Sequence, residues 1–447
     1  MAIHLSDHFT YKKIFKITIF PIVMMIFTSL YSIVDGIFIS NFANESSFAA
    51  VNLVAPFIMI VGTIGFMLGT GGMAYVAKLL GEKNGEKANQ AFSLITYATV
   101  VIGLVVSLAF VFLIEPIVRA MGSINANTSE EMVTEAILYG RILIGFSVFF
   151  MLQNLFHSFF LVAEKSKMGF FVTLAGGITN IIFDALFIGV FKWGVVGAAL
   201  ATVSGYLVAS IYSILYFGFK KDLIIHLGKT KFSAKIILRS LYNGLSEFVN
   251  NISFNVVAIV YNIQLLKLLG ENGVSAYGII MYVSFIFVAI FIGYSIGISP
   301  VIGYNYGANN SQELKNVLKK SLIIIIITGI IMTVVSELSA RLFSSIFANG
   351  NEELLNISTE AMRIFSTAYV ITGFAIFISS FFTALNNGTV SAIISSLRTL
   401  VFQIAFVLIL PLIFGNVGIW LARPITEVAS LLISIIFLIV NKKKYNY

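Results

Sequence analysis

The chain has 447 residues, of which 58% are hydrophobic and 11% are charged, and its formal net charge is +8. A soluble protein carries about 25% charged residues, so these side chains cannot cover a water-facing surface. Lipid favours apolar side chains and penalises charged ones, and the composition therefore indicates an all-α polytopic membrane protein. The chain contains no cysteine, which excludes disulfides, thiolate metal sites and cysteine nucleophiles.

A membrane span needs about 20 mainly apolar residues in helical form. Twelve segments of the sequence meet this requirement, and near Trp193 two of them are joined by only a few residues. The predicted spans are 15–40, 48–77, 91–114, 133–161, 169–191, 194–219, 236–266, 274–304, 321–347, 361–384, 390–414 and 417–440.

The charges in the loops predict the orientation. With a cytoplasmic N-terminus, the inner loops hold 20 of the 28 basic residues and the outer loops hold Arg119, Lys192, Lys267 and Arg341. This bias follows the positive-inside rule, so both termini are expected in the cytoplasm and the chain in the cytoplasmic membrane. The inner residues are Lys12, Lys13, Lys16, Lys78, Lys83, Lys87, Lys165, Lys167, Lys220, Lys221, Lys229, Lys231, Lys235, Arg239, Lys315, Lys319, Lys320, Lys442, Lys443 and Lys444.

The basic middle loop contains Gly228-Lys229-Thr230, the end of a phosphate-binding loop motif. The first glycine of that motif would fall at position 223, which is leucine, and no strand precedes it. A nucleotide is therefore not expected as a partner, and nucleic acid is not expected either, because the positive-inside rule accounts for the net charge. The loop instead separates an N-terminal half (1–220) from a C-terminal half (236–447), with a linker at 221–235.

The two halves repeat. A shift of 226 residues superimposes Gly71 on Gly297 and Gly81 on Gly307, and a shift of 221 superimposes GVVGAALA (194–201) on GNVGIWLA (415–422). Six spans per half give both halves the same orientation, which implies a parallel repeat about an axis along the membrane normal.

The chain resembles the multidrug and toxic compound extrusion family over nearly its whole length. The resemblance lies in the six-plus-six layout, in LLGEKNGEKANQA (79–91) and NYGANNSQELKNV (305–317), and in GVVGAALAT (194–202). GLSEFVNNIS (244–253) is similar to bacterial MepA-type members. The resemblance implies two six-helix lobes in a V around a central cavity, and export of organic, often cationic, amphipathic compounds in exchange for protons or sodium ions.

The first half carries two carboxylates inside predicted spans, where an ionisable side chain usually faces a cavity or a partner. In several family members a cation or proton site uses an aspartate of helix 1, an Asn/Asp pair of helix 5, and a threonine and a carbonyl of helix 6. This sequence matches at Asp35, Asn180, Asp184, Thr202 and Ala198. Oxygen ligands suit sodium, for which Asp35, Asn180, Asp184 and Thr202 would be the metal ligands, and close carboxylates suit protonation.

Two other interpretations of these residues remain open. Asp35 could lie near the outer surface, and the set could be a structural polar network between helices. Pro21, fourteen residues before Asp35, removes a backbone hydrogen bond and can bend the first span.

Polar side chains in the fourth and seventh spans are candidates for the substrate cavity. Glu247 could attract a cationic substrate or pair with Arg239, and Asn255 falls where some relatives carry a cation-binding glutamate. The i, i+4 pair Arg423 and Glu427 is expected to be a structural ion pair. The other candidate cavity residues are Gln153, Asn154, His157, Asn250 and Asn251.

The alternative function is flipping of lipid-linked oligosaccharides by a member of the same superfamily, which usually has more spans and a strongly basic cavity. A membrane enzyme would need a clustered metal or nucleophile motif, and the sequence has none. The expected partners are organic cations and drugs and the lipid bilayer, with no cofactor beyond a coupling H+ or Na+, and the expected assembly is a monomer.

Overall fold

The computed structural model describes residues 3–42, 45–122, 129–348 and 350–447. All its regular secondary structure is helical, and the described chain separates into two compact units. The first unit contains residues 26–244 together with the N-terminal residues up to His4, and the second contains Leu5–Met25 and Leu245–Tyr447.

The first half of the chain forms eight helices, and a π-helical turn (Ala185–Val190) extends α6. The helices are α1 (Tyr11–Phe42), α2 (Glu45–Gly81), α3 (Gly85–Gly122), α4 (Glu130–Gly145), α5 (Ser147–Val162), α6 (Ser166–Asp184), α7 (Gly194–Phe219) and α8 (Ala234–Asn243).

The second half forms seven helices, and a π-helical turn (Leu397–Val401) joins two of them. The helices are α9 (Leu245–Gly307), α10 (Ser311–Ala348), α11 (Glu352–Ser366), α12 (Tyr369–Ala384), α13 (Gly388–Ser396), α14 (Phe402–Phe414) and α15 (Asn416–Tyr445).

Within the described residues, nine helices are long and apolar enough to cross a membrane, and two bent helix pairs raise the number to eleven. Helix α9 has 63 residues and breaks at Gly270, whose φ of 63° is outside the helical range. Its 63 residues amount to about 94 Å of helix at 1.5 Å per residue, which is more than a single crossing of a bilayer core of about 30 Å needs, and the break at Gly270 divides them into two helical segments. The count of nine to eleven treats α9 as one span, and the twelve spans of the sequence analysis stay a prediction.

Two predicted spans are not single helices. The segment predicted as 133–161 bends by 52° between α4 and α5, where Phe146 leaves helical geometry (φ −103°, ψ 12°). The segment predicted as 361–384 begins earlier, at Glu352, and bends by 51° between α11 and α12. The side chain of Asn351 accepts a hydrogen bond from the Leu354 N–H at 3.0 Å, which starts α11 before the sequence becomes strongly apolar.

The seventh predicted span, 236–266, is also interrupted, because α8 ends at Asn243 and α9 begins at Leu245. The reason is the tight packing of Gly244 against α2. A Cβ atom at this residue would overlap the backbone of Met67, so only glycine fits between α8 and α9 at this contact.

The glycines of α2 mediate close helix contacts. A Cβ at Gly65 would lie 2.5 Å from the backbone of Met151 in α5, and one at Gly71 would overlap the Ser240 carbonyl in α8. Small residues let helix backbones approach in this way inside membranes.

The loop between α7 and α8 is held against α3 by hydrogen bonds. The side chain of Asn89 accepts a hydrogen bond from the His226 N–H at 2.8 Å, and Ser93 Oγ accepts one from the Gly228 N–H at 3.0 Å. The Tyr97 hydroxyl donates to the Gly228 carbonyl at 3.1 Å. The polar face of α3 thus satisfies the backbone of a segment that has no regular structure.

Helices α6 and α7, which carry four of the five predicted ion-site residues, meet at two glycines. A Cβ on Gly205 would lie 2.7 Å from the Gly176 carbonyl oxygen, and one on Gly176 would lie 2.9 Å from the Gly205 carbonyl oxygen. Neither oxygen can move away easily, because each belongs to helix backbone.

We expect Gly205→Val to separate α6 from α7 and to destabilise the protein by about 1–3 kcal/mol, the usual cost of overpacking. Thermal unfolding in detergent measures the effect. Gly218→Ala on the same helix is the control, because a Cβ there meets no atom within 4 Å. Equal melting temperatures for the two variants would contradict the packing described here.

Candidate ion-coupling site

The carboxylates of α1 and α6 come together in the first unit. Asn180 and Asp184 lie one turn apart on α6 and are only 3% and 0% exposed. The half-buried Asp35 side chain of α1 is an immediate neighbour of both. The phenylalanine ring of Phe27 and the ring of Tyr31 pack against Gly177, which brings α1 close to α6 at this level.

These polar groups are poorly satisfied by the protein itself. Oδ1 of Asp35, both carboxylate oxygens of Asp184 and both amide atoms of Asn180 are buried without a well-formed hydrogen bond. No basic side chain of the described residues contributes to the electrostatics of either carboxylate. An unsatisfied buried polar group costs about 1–3 kcal/mol, and more when it is charged. The protein therefore does not neutralise the negative charge of these carboxylates, and a bound proton or cation can do so.

The two predicted residues of α7 are bonded to each other. The Thr202 hydroxyl donates to the Ala198 carbonyl oxygen at 3.0 Å. One turn farther along α7, a Cβ on Gly205 would lie 3.3 Å from Cβ of Asn180, so α7 meets α6 beside the amide. Since Thr202 donates its only proton to Ala198, its oxygen lone pairs remain able to accept a cation.

Three tyrosines that the sequence analysis did not select lie within electrostatic range of the carboxylates. Tyr139 of α4 is an electrostatic neighbour of both aspartates, and Tyr31 and Tyr206 are neighbours of Asp35. Helical spacing was the available signal, because Tyr31 lies four residues before Asp35 and Tyr206 four residues after Thr202.

The candidate cavity residues of α5 differ in their surroundings. The Gln153 amide lies beside the Tyr31 phenol, which connects it to the carboxylate site. Nδ2 of Asn154 and Nε2 of His157 are buried without a hydrogen-bond partner. These three side chains therefore leave polar atoms available within the first unit.

The second unit contains the remaining candidates, all on α9. Asn251 donates to the Glu247 carbonyl at 2.9 Å, and Asn255 donates to the Asn251 carbonyl at 3.0 Å, so both amides are engaged with their own helix. Oδ1 of Asn250 is buried without a partner. Arg239, considered above as a partner for Glu247, lies 5.0 Å from the centre of the Tyr75 ring.

The expected ion pair of α15 is confirmed, and it is part of a larger cluster. Nη2 of Arg423 lies 2.7 Å from Oε1 of Glu427. Arg398, which the sequence analysis did not select, binds the same carboxylate through Nε and Nη2 at 2.9–3.1 Å. Arg398 and Glu427 are 29 residues apart in the sequence, so no local pattern predicted this contact.

Within the described ranges, no group of three His, Cys, Asp or Glu side chains could hold a metal ion. The carboxylate site of the first unit has two acidic side chains, and its other polar groups are amides, phenols and a hydroxyl. Such hard oxygen donors suit a proton or an alkali cation rather than a transition metal.

Comparison with known proteins identifies the family. The MatE family model matches residues 21–186 and 248–409, one segment in each half. The multidrug export protein MepA of Staphylococcus saprophyticus subsp. saprophyticus is 25% identical over 435 residues, covering 95% of this chain and 94% of MepA. MepA of Staphylococcus haemolyticus is 26% identical over 433 residues, covering 94% and 92%.

Solved structures share the fold. A MATE protein in complex with MaL6 superimposes with a TM-score of 0.90 at 22% identity, covering 96% of both chains. An outward-facing multidrug resistance MATE transporter of the MOP superfamily gives a TM-score of 0.90 at 22% identity, covering 97% of this chain and 96% of that one. The chain therefore belongs to the MatE family and is a multi-pass membrane transporter, not an enzyme.

Proposed function

We propose that this protein exports organic, often cationic, amphipathic compounds in exchange for protons or sodium ions. The family and the full-length similarity to two proteins named multidrug export protein support the export of drugs. The observation that carries the coupling proposal is the half-buried Asp35 beside the fully buried Asp184, a pair that no basic side chain of the described residues neutralises.

The site couples ion binding to conformation through the position of α1. Two ionised carboxylates side by side repel each other, and a proton or a cation between them removes that repulsion. The ion therefore favours the packing in which Asp35 of α1 lies against Asp184 of α6, and its release favours separation. A ligand moves a conformational equilibrium only by such a difference in affinity, and Pro21 gives α1 a place to bend.

The ion ligands in this proposal are Asp35, Asn180, Asp184, Thr202 and the Ala198 carbonyl. Gln153, Asn154 and His157 of the first unit and Glu247, Asn250 and Asn251 of the second contribute to substrate binding. The chain acts as a monomer in the cytoplasmic membrane, and the lysine-rich loops and both termini lie in the cytoplasm, as the positive-inside rule predicts.

The test of the function is transport by purified protein in liposomes. Loading with a fluorescent organic cation, followed by an imposed proton gradient or an imposed sodium gradient, separates the two coupling ions. We expect one of the gradients to drive accumulation against the substrate gradient. Transport that neither gradient accelerates would contradict antiport. Scrambling of a lipid-linked oligosaccharide in the same vesicles would instead support the flippase alternative.

Replacing Asp35 with Asn removes one charge at nearly constant shape, so the ion has a single carboxylate left. We expect gradient-driven efflux to be lost while protein in the membrane stays at the wild-type level, measured by efflux in cells and by quantitative blotting. Asp222→Asn in the exposed loop after α7 makes the same chemical change and should transport normally. Full efflux by Asp35→Asn would remove this residue from the mechanism.

Asp35 and Asp184 should depend on each other energetically. Residues that share one ligand deviate from additivity by about 0.5–3 kcal/mol. We expect Asp184→Asn to abolish the stabilisation of the wild-type protein by the coupling ion, and the double variant to lose nothing further. Melting temperatures of the four proteins, with and without the ion, measure the cycle. Additive losses would indicate two independent sites.

A further inference from the structure

The second unit contains a buried charge cluster that the proposed function does not use. The side chains of Arg398, Arg423 and Glu427 are 9%, 19% and 0% exposed, and both guanidinium groups contact the one carboxylate. The hydroxyl of Thr372 lies beside the same carboxylate. Two positive charges face one negative charge, so the cluster has an excess of positive charge.

The cluster continues through neutral groups of α14, α9 and α12. Nη1 of Arg423 lies 3.5 Å from Oε1 of Gln403, whose Nε2 donates to the Tyr261 hydroxyl at 2.7 Å. The Tyr261 ring stacks on Tyr277 with centroids 4.5 Å apart. The positive charge of Arg423 acts on the phenols of Tyr277 and Tyr369. The groups around Arg423 are therefore Glu427, phenols and an amide.

The backbone shows which residues of the two units correspond. Left-handed residues recur at Lys83 and Asn309, which are 226 apart, and at Gly194 and Gly415, which are 221 apart. These are the two shifts found in the sequence repeat. A third left-handed pair lies 222 apart, at Glu164 and Asn386, and the bent helix pairs also recur, with angles of 52° and 51°.

These shifts map the carboxylate site of the first unit onto the charge cluster of the second. Asp35 corresponds to Tyr261, and Thr202 corresponds to Arg423. Asp184 has no acidic counterpart, because shifts of 221 and 222 lead to Ala405 and Phe406. The second unit therefore places a guanidinium where the first unit places an oxygen ligand.

One side-chain contact supports the same correspondence. In the first unit, the ring of Phe150 stacks on Tyr206 with centroids 4.7 Å apart. The shifts of 222 and 221 map these residues onto Thr372 and Glu427, which are also neighbours. Equivalent positions thus make equivalent contacts, although an aromatic pair has been replaced by a hydroxyl and a carboxylate.

We propose that Arg423, supported by Arg398, is a covalently attached substitute for the coupling cation in the second unit. The inference rests on the proposed ion site of the first unit. A guanidinium cannot be deprotonated in a protein, and as part of a side chain it cannot dissociate. The second unit therefore stays permanently in a state equivalent to the ion-bound state of the first unit. Its excess positive charge repels any further cation, and the coupling ions of the transport cycle bind to the first unit alone.

The experiment uses the full-length Asp35→Asn/Asp184→Asn protein, in which the first unit has lost its carboxylates. Its melting temperature in detergent is measured from zero to high sodium, with choline as the replacement, and across the pH range in which the protein is soluble. We expect this melting temperature not to depend on sodium, and to change with pH only through the titration of exposed groups. The control is the same protein carrying Glu427→Gln, Arg398→Gln and Arg423→Gln, which should show the same pH dependence. A sodium-dependent or additional acid-dependent rise with the arginines intact would overturn the proposal.

Adding Arg398→Gln and Arg423→Thr to this background leaves Glu427 buried without a guanidinium. We expect the melting temperature then to rise by several degrees with sodium or with acidification, because only the folded state binds the ion. Arg398→Lys and Arg423→Lys in the same background are the matched control, since they keep both charges and should remain unresponsive. A flat response of the arginine-free variant would overturn the proposal.

If the arginine-free variant does not fold, Arg423→Thr alone is used, which keeps the Arg398 pair with Glu427. We expect a smaller rise, and its absence would contradict the inference. The measurements separate this inference from the proposed function. Wild-type protein that neither ion stabilises would refute the function, whereas the gain of a response on removal of the arginines tests the second unit directly.

Discussion

The central constraint in this transporter is a pair of adjacent carboxylates, one half-buried and one fully buried, that no basic side chain in the described part of the chain neutralises. Asp184 is fully buried and Asp35 lies beside it, yet neither is paired with a basic side chain of the described residues. A soluble protein would relieve this arrangement with solvent or an arginine. In a membrane the penalty for an unpaired charge is larger, and this penalty is what the proposed coupling ion relieves.

The second unit meets the same constraint in the opposite way, with both charges supplied by side chains. Removing one partner of a buried ion pair leaves an uncompensated charge and typically costs 3–5 kcal/mol, so such a cluster is permanent. In our proposal, the buried negative charge is neutralised reversibly by an ion in the first unit and permanently by arginine side chains in the second. The repeat of the backbone persists, with Gly194 and Gly415 at positive φ angles of 55° and 57°, although the chemistry differs.

Much of the fold and part of the site followed from the sequence. Hydropathy, loop charge and the repeat predicted the spans, and the resemblance selected Asp35, Asn180 and Asp184, which the structure brings together. Hydropathy could not reveal the bends after Gly145 and Ser366, because apolar residues continue through both. Nor could it reveal Tyr139 beside the aspartates or Arg398 on Glu427, because these contacts join helices distant in sequence.

The course of the chain between α7 and α8 has a consequence for engineering the protein. The basic loop looks like a connection between two domains, but its backbone is bonded to α3, and α8 belongs to the first compact unit. The chain passes from one compact unit to the other at Gly244, inside the seventh span. A split of the gene at residues 221–235 would therefore cut through the first unit, and its fragments would each lack a piece needed for folding.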